Sequence, residues 1–316
     1  MNDARTEGRR RGVCIDSTTL HATLTRTAGL ALAALAIAAA GCTSNGDPAQ
    51  RLGTDFETAG ESFADDGLPM RVLHVPTGIT MVYIAPGRFT MGSPREQAGR
   101  DGDEREHEVV ISDPFYLGET EVTVEQWRRA VAGHPEETEV VPAHDDRPNL
   151  PMTSLGWRRS VRLAEILNEG GGARWRLPSE VEWEYACRAG TTSVFSFGDT
   201  LTAADANFDA KQPYAGATPG ERSAGPEPVR SYAPNAWGLY EMHGNVWEWC
   251  EDRYVMHPGT ESPPKTSTDA GAPRIIRGGA WTSQGKRLRS AHRDGYPPSA
   301  NDAKYGVRLA LTIPPG

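Results

Sequence analysis

Residues 241–248, Glu-Met-His-Gly-Asn-Val-Trp-Glu, carry oxygen groups of the kind that hold a hard cation. Glu241 and Glu248 can close a loop in which the backbone carbonyls of Gly244 and Val246 point inward. Ca²⁺ accepts such mixed sets of carboxylate and carbonyl oxygens. The pattern predicts a calcium site. The alternative is that Glu248 forms an ion pair with a neighbouring arginine inside an aromatic core.

Nucleophilic catalysis receives little support from the residue pattern. Ser283 is followed by His292 and Asp294, but a serine nucleophile needs a base and an orienting group within hydrogen-bond reach. No G-x-S-x-G turn surrounds Ser283. We therefore predict a loop serine at this position and no catalytic residue.

The four cysteines are too few for a disulfide framework in 316 residues. Cys14 lies near the amino terminus and Cys42 follows an uncharged apolar run, whereas Cys187 and Cys250 lie in the body of the chain. An oxidising compartment would allow Cys187 and Cys250 to pair, provided that their Cα atoms are close enough. Whether they form a disulfide stays open at this point.

The amino-terminal segment has the pattern of an export signal. The run AGLALAALAIAAAG covers residues 28–41, which is shorter than the roughly 20 residues of a membrane-spanning helix. Five arginines precede the run, and small residues lead into Cys42, an order that resembles a bacterial lipobox. We predict that residues 1–41 are a signal peptide and that Cys42 carries lipid. A buried apolar helix is the alternative.

Charge and composition limit the partners of the remaining chain. Removal of residues 1–41 leaves 28 basic and 39 acidic side chains, a formal net charge of -11. An acidic surface disfavours nucleic acid and anionic lipid, so the lipid on Cys42 would be the membrane contact. The following segment is polar and aperiodic, and residues 42–69 are predicted to be a flexible tether.

Hydrophobic periodicity predicts one α+β domain over residues 70–316. Capping boxes begin helices after Thr123 and Ser179, and another helix begins at Ser154 or Trp157 and ends at a run of glycines. The segment 191–232 is rich in glycine and proline and has no clear periodicity. Strands are expected around 81–93, with a turn at 86–87, and at 107–111, 115–117, 274–281 and 305–311.

A series of local motifs carries a family resemblance. In order they are MGS at 91–93, PFYLG at 114–118, EVT at 121–123, RLPSEVEWEYA at 176–186, NAWGLY at 235–240, GNVWEW at 244–249, RGG at 277–279 and GVRLA at 306–310. The series resembles the formylglycine-generating enzyme (sulfatase-modifying factor) family. The resemblance implies a loop-rich variant of the C-type lectin fold. It is less specific for function, because this fold serves copper oxidases, sulfoxide synthases and envelope lipoproteins.

The resemblance also implies functional positions. The two thiolates that hold copper in the family's oxidases correspond to Ser283 and Leu288, which cannot hold a soft Cu(I) ion. Copper is therefore not expected. The family's calcium loop corresponds to Glu241, Gly244, Val246 and Glu248, and a second calcium site to Asn207, the carbonyl of Phe208, Glu221 and the carbonyl of Ser223. Trp247, Trp281 and Ser283 are the candidates for a ligand groove.

These features favour an exported lipoprotein, stabilised by calcium, that binds a peptide or protein partner in the bacterial envelope without oxidising it. The alternative is a sulfatase-maturing or related oxidoreductase of the same family with altered active-site residues. A carbohydrate-binding module is a third possibility, by analogy with the fold alone.

Overall fold

The computed structural model describes residues 47–138, 147–256 and 271–314. The predicted signal peptide 1–41 and the predicted lipid site Cys42 lie outside these residues. Among the residues described, no helix is both long enough and apolar enough to cross a membrane.

Short strands and a few helices alternate with long loops. The helices are α1 (Val124–Ala130), α2 (Pro135–Thr138), α3 (Trp157–Asn168) and α4 (Glu180–Arg188). The strands are β1 (Phe56–Thr58), β2 (Arg71–His74), β3 (Ile79–Ile84), β4 (Gly87–Met91), β5 (His107–Ile111), β6 (Phe115–Gly118), β7 (Arg174–Arg176), β8 (Trp247–Arg253), β9 (Arg274–Arg277), β10 (Asp294–Tyr296), β11 (Tyr305–Gly306) and β12 (Ala310–Thr312).

The larger sheet has the strand order β1-β2-β3-β6-β12-β7, and each neighbouring pair is antiparallel. Helix α3 packs against the edge strand β7 and against α1. Leu163, Ala164 and Leu167 share one face of α3 and are buried, as expected of an amphipathic helix. They enter the same core as Trp127 of α1.

The smaller sheet carries three of the family motifs, since β8 contains the WEW of GNVWEW, β9 ends at the arginine of RGG and β11 ends at the first residue of GVRLA. Its order is β10-β9-β8-β11, with β11 parallel to β8 and the other pairs antiparallel. Helix α4 packs against β8 and β9 and buries Trp183 and Cys187 beside Cys250 in a second core. A separate β4–β5 hairpin lies before these elements in the chain.

The predicted tether is wrong for residues 47–69. Residues Pro48–Leu52 form a 3-10 helix capped by Asp47, and β1 follows as the first strand of the larger sheet. Leu52 is fully buried, and Phe56 stacks on Trp175 with ring centroids 5.8 Å apart. A polar segment can join the sheet in this way because strands pair through their backbones. Few apolar side chains are then needed to hold it against the core.

Most predicted elements are found near their expected positions. Both capping boxes form, with Thr123 and Ser179 each accepting from the backbone N–H three residues on. Helix α1 begins at Val124, directly after its capping residue, and ends at Ala130. The strand expected at 305–311 is divided into β11 and β12. The backbone between them serves β6 and the loop after it, since Val122 and Gly118 donate to the carbonyls of Val307 and Leu309.

Candidate functional site

The carboxylate of Glu248, on β8, is held by an arginine and a tryptophan. Nη2 of Arg308 lies 2.7 Å from Oε1, and Nε1 of Trp183 donates to Oε2 over 2.6 Å. All three side chains are buried. Burial opposes the charged guanidinium, but the ion pair with Glu248 holds the pKa of Arg308 above its usual value. This arrangement matches the alternative considered for Glu248, an ion pair within an aromatic core.

Glu241 and Glu121 form the unsatisfied part of this cluster. Both are buried, and Oε2 of Glu241 and Oε1 of Glu121 have no hydrogen-bond partner. Burial raises the pKa of both carboxyl groups, and the charges of Glu241 and Glu248 raise that of Glu121 further. A void of about 10 Å³, lined in part by Glu241, has room for a single water-sized group.

The second predicted calcium set is only partly assembled. Asn207 is buried, its Oδ1 has no partner, and its Nδ2 donates to Oδ1 of Asn245 over 3.1 Å. The side chain of Glu221 is 95% exposed, and its Oε2 lies 3.7 Å from Nζ of Lys211. The structure therefore turns Glu221 to solvent, away from a buried site, because the chain around it runs along the surface.

The two remaining positions of that set were predicted to contribute backbone carbonyls, and the carbonyl of Phe208 accepts from the N–H of Ala210 over 3.0 Å. Phe208 packs its ring into a small apolar cluster, and Ser223 donates from Oγ to the carbonyl of Gly225. The two predicted calcium loops nevertheless touch. Gly244 has φ +87, and a Cβ there would lie 2.3 Å from the carbonyl oxygen of Asn207, so only glycine permits this approach.

These contacts test how well calcium fits. Unsatisfied oxygens at Glu241, Glu121 and Asn207 favour a cation, because buried acceptors are rarely left without a partner. Glu248 is engaged by Arg308, and Glu221 is remote. The residues therefore fit a cation at Glu241 and Glu121 and do not fit the full second set.

The positions that correspond to the copper thiolates do not fit copper. Oγ of Ser283 accepts from the backbone N–H of Ala280 over 3.0 Å, and Leu288 is 0% exposed within an apolar cluster. A hydroxyl oxygen and an isobutyl group offer no soft donor. No copper-dependent step can be derived at this site.

Ser283 is also not part of a catalytic triad. Asp294 pairs with Arg287 over 2.9 Å, while Nδ1 of His292 lies 3.3 Å from Oδ2 of Asp101. Asp294 and His292 therefore each lie beside another charged group, although neither ring nitrogen of His292 makes a hydrogen bond; this is consistent with a loop serine at Ser283.

His292 belongs to a buried ionic cluster that the sequence reasoning missed. His292 lies with Asp101 and Glu104, the one group of three metal-ligand side chains found among the residues described. Glu104 already accepts from Arg289 twice, from Ser93 and from the backbone of Asp101, which uses its acceptor capacity. Its pKa is held low by His292 and Arg289 in spite of burial. These hydrogen bonds fix the 94–106 loop in place and leave Glu104 no acceptor for a metal ion.

A polar groove opens beside the loop that follows the RGG motif. Its cavity measures about 250 Å³ and is lined by Gln212, Trp247, Thr282, Ser283, Gln284, Arg287, Tyr296 and Lys304. Two of the three groove candidates, Trp247 and Ser283, are in this lining. Trp281 is not, and its ring instead faces the guanidinium of Arg222 at 5.7 Å.

The two cysteines of the body of the chain are separate buried thiols. Sγ of Cys187 lies 3.8 Å from the carbonyl oxygen of Met242 and 3.7 Å from Nε2 of His243. Burial raises the pKa of Cys187 to about 12 and raises that of Cys250 as well. The possible disulfide is not formed, and neither thiol is activated.

Comparisons with known proteins agree with the order of motifs. The family model of the Sulfatase-modifying factor enzyme 1-like domain matches residues 71–313. The Serine/threonine-protein kinase pkn1 of Chlamydia caviae is 32% identical over 258 residues, which cover 75% of this chain and 39% of that protein. The Formylglycine-generating enzyme of Streptomyces coelicolor is 33% identical over 177 residues, covering 52% of this chain and 53% of the enzyme.

A solved structure shows the same fold. PvdO from Pseudomonas aeruginosa is similar with a TM-score of 0.63 and 27% identity, over 74% of this chain and 95% of that protein. The chain spans about two-fifths to half the length of the two curated relatives described above.

Proposed function

Because the chain belongs to the sulfatase-modifying factor family, we propose that it is an exported lipoprotein whose domain binds a peptide or protein partner without copper-dependent oxidation. One observation carries the proposal: the copper positions hold Ser283, whose hydroxyl is engaged with Ala280, and Leu288, which is fully buried. The fold is retained around a site that has no donor for Cu(I).

The groove supports the binding half of the proposal. It lies beside the same loop, and its lining combines an indole ring, two amides and hydroxyl groups with two cations. Most of these groups are polar, so the groove can form hydrogen bonds with a ligand that carries several donors and acceptors of its own. A peptide offers both the backbone groups and the side chains to match it.

Export and lipid attachment are supported by the amino-terminal sequence. The apolar run 28–41 is bordered by arginines and by Gly41-Cys42. Cleavage before Cys42 and lipid attachment to its sulfur would anchor the domain to a bacterial membrane. Mass spectrometry of the membrane-extracted protein, with Cys42→Ser as control, would detect the lipid; an unmodified mature amino terminus would contradict this part.

Calcium is proposed as a stabilising ion at the loop of residues 241–248. Glu241, the carbonyls of Gly244 and Val246, and the adjacent Glu121 would hold it. The support is the pair of buried unsatisfied carboxylate oxygens on Glu241 and Glu121. When bound, the ion would neutralise two carboxylates that otherwise repel each other.

The test of the main proposal is an oxidation assay. The purified chain is incubated with copper and a peptide carrying the cysteine motif of sulfatases, with the Streptomyces coelicolor enzyme as positive control. We expect no aldehyde above the level without enzyme. Copper-dependent aldehyde formation by the chain would overturn the proposal and favour an oxidoreductase with altered residues.

A further inference from the structure

The groove has an unusual charge for this protein. Arg287 and Lys304 are the charged residues in its lining, and no carboxylate is among the described residues that line it. The chain as a whole has 42 acidic and 33 basic side chains. The charged side chains in the lining are therefore positive, whereas the net charge of the whole chain is negative. We propose, as an extension of the function proposed above, that the groove selects acidic peptides.

Arg287 and Lys304 each lie beside one aspartate of the chain and can bind a carboxylate of a ligand as well. Nη1 of Arg287 donates to Oδ2 of Asp294 over 2.9 Å, and Nζ of Lys304 lies 3.4 Å from Oδ2 of Asp302. The side chains of Arg287 and Lys304 are 39% and 30% exposed. Ion pairs this open to solvent contribute little. A guanidinium carries five N–H donors in a fixed fork, so Arg287 retains donors for a ligand carboxylate.

The neutral part of the lining favours a peptide over other anions. Nε2 of Gln284 donates to Oε1 of Gln212 over 2.6 Å. An amide pair at the groove leaves N–H and C=O groups that match a peptide backbone. Partly buried Tyr296 adds aromatic surface beside the two cations, and Trp247, which is only 3% exposed, also lines the cavity; this suits an apolar residue placed between acidic ones.

The experiment measures the affinity of two end-blocked octapeptides for the purified full-length chain by calorimetry. One peptide has two glutamates flanking a phenylalanine, and the other has glutamines in their place. We expect the glutamate peptide to bind at least about tenfold more tightly, as charge-assisted hydrogen bonds predict.

Three variants assign that preference to the groove. Arg287→Gln should remove most of it. Asp294→Asn should strengthen binding by about two- to fivefold, because it removes the carboxylate that competes for Arg287. Lys286→Gln is the matched control, since this neighbour on the same turn is exposed and does not line the cavity.

The outcomes separate this inference from the proposed function. Equal affinity for both peptides would overturn the acidic selection, and a preference that survives Arg287→Gln would overturn its assignment to the groove; both results would leave peptide binding intact. If neither peptide binds and a polyuronate chain does, both the acidic selection and the proposed peptide binding are overturned. Circular dichroism of each variant, together with the opposite directions expected for Arg287→Gln and Asp294→Asn, excludes misfolding as an explanation.

Discussion

At the scale of single residues, the molecule depends on buried charges that neutralise one another. Arg308 pairs with Glu248, and Arg293 pairs with Glu180 through two hydrogen bonds of 2.6 and 2.7 Å. Glu241 and Glu121 are the carboxyl groups left with an unsatisfied oxygen beside the Arg308–Glu248 pair. Removal of one member of a buried pair is costly, because the other charge stays in the core.

Arg308→Met should therefore destabilise the fold strongly. It leaves Glu248 buried without its partner, and we expect a loss of about 3–5 kcal/mol in the free energy of unfolding. Arg129→Gln breaks the exposed pair with Glu125 on α1 and should cost less than about 0.5 kcal/mol. Urea denaturation of both variants is the measurement. Equal effects would contradict the assigned role of Arg308.

Asp252 predicts a pH dependence of stability. Burial, and then the charges of Glu180 and Glu251, raise its pKa from 3.8 to about 6. The unfolded state ionises first as the pH rises, so this group stabilises the fold below pH 3.8 and loses that contribution between pH 3.8 and 6. The loss is roughly 3 kcal/mol.

Asp252→Asn should remove that loss while keeping an acceptor for the N–H of Glu180. The stability of the variant relative to the parent chain should increase between pH 4 and pH 7. Denaturation at both pH values checks this. A constant difference between the two proteins would contradict the raised pKa.

At the scale of elements, the short first strand has the largest consequence for domain boundaries. Phe56 of β1 is 2% exposed, and the strand pairs with β2 from Phe56 to Thr58. A segment with this burial is part of the fold, whatever lies before it in the chain.

Phe56→Ala should lower the free energy of unfolding by about 3–5 kcal/mol, because it leaves a cavity against Trp175. Phe63→Ala is the matched control, since Phe63 is half exposed. Thermal or urea denaturation measures both. If Phe56→Ala left the free energy of unfolding unchanged, the result would support the flexible tether predicted for residues 42–69.

At the scale of the whole molecule, long loops must be held in place without regular structure. Residues 189–246 contain neither a helix nor a sheet strand. Hydrogen bonds nevertheless connect Asn207 to Asn245 within this segment, and Asn245 to Glu121 outside it. A cation at Glu241 would brace the same region.

Calcium should therefore raise the melting temperature, and EDTA should lower it, because an ion that binds only the folded state stabilises it by mass action. Glu241→Gln should abolish the difference, while Glu221→Gln, at an exposed position, should keep it. Differential scanning fluorimetry is the measurement. An identical melt with calcium and with excess EDTA would remove the proposed ion.

Much of the fold was predictable because its signals are local. The capping boxes at Thr123 and Ser179 and the turn at 86–87 each depend on a few adjacent residues. The ordered motifs indicated the family for the same reason, and the fold is confirmed. Glu248 and Glu221 were harder, because their partners Arg308 and Lys211 are not apparent from a local pattern.

The sequence by itself determined the family, the starts of α1 and α4 at their capping boxes, and the replacement of the copper thiolates by Ser283 and Leu288. Only the tertiary structure decided which charges meet: Arg308 at Glu248, His292 at Asp101 and Glu104, and two cations at one groove. The physical reason is the sequence separation of the residues that interact. Backbone conformation follows from neighbours in the chain, whereas ion pairs and cavities depend on segments brought together by the packing of the two sheets.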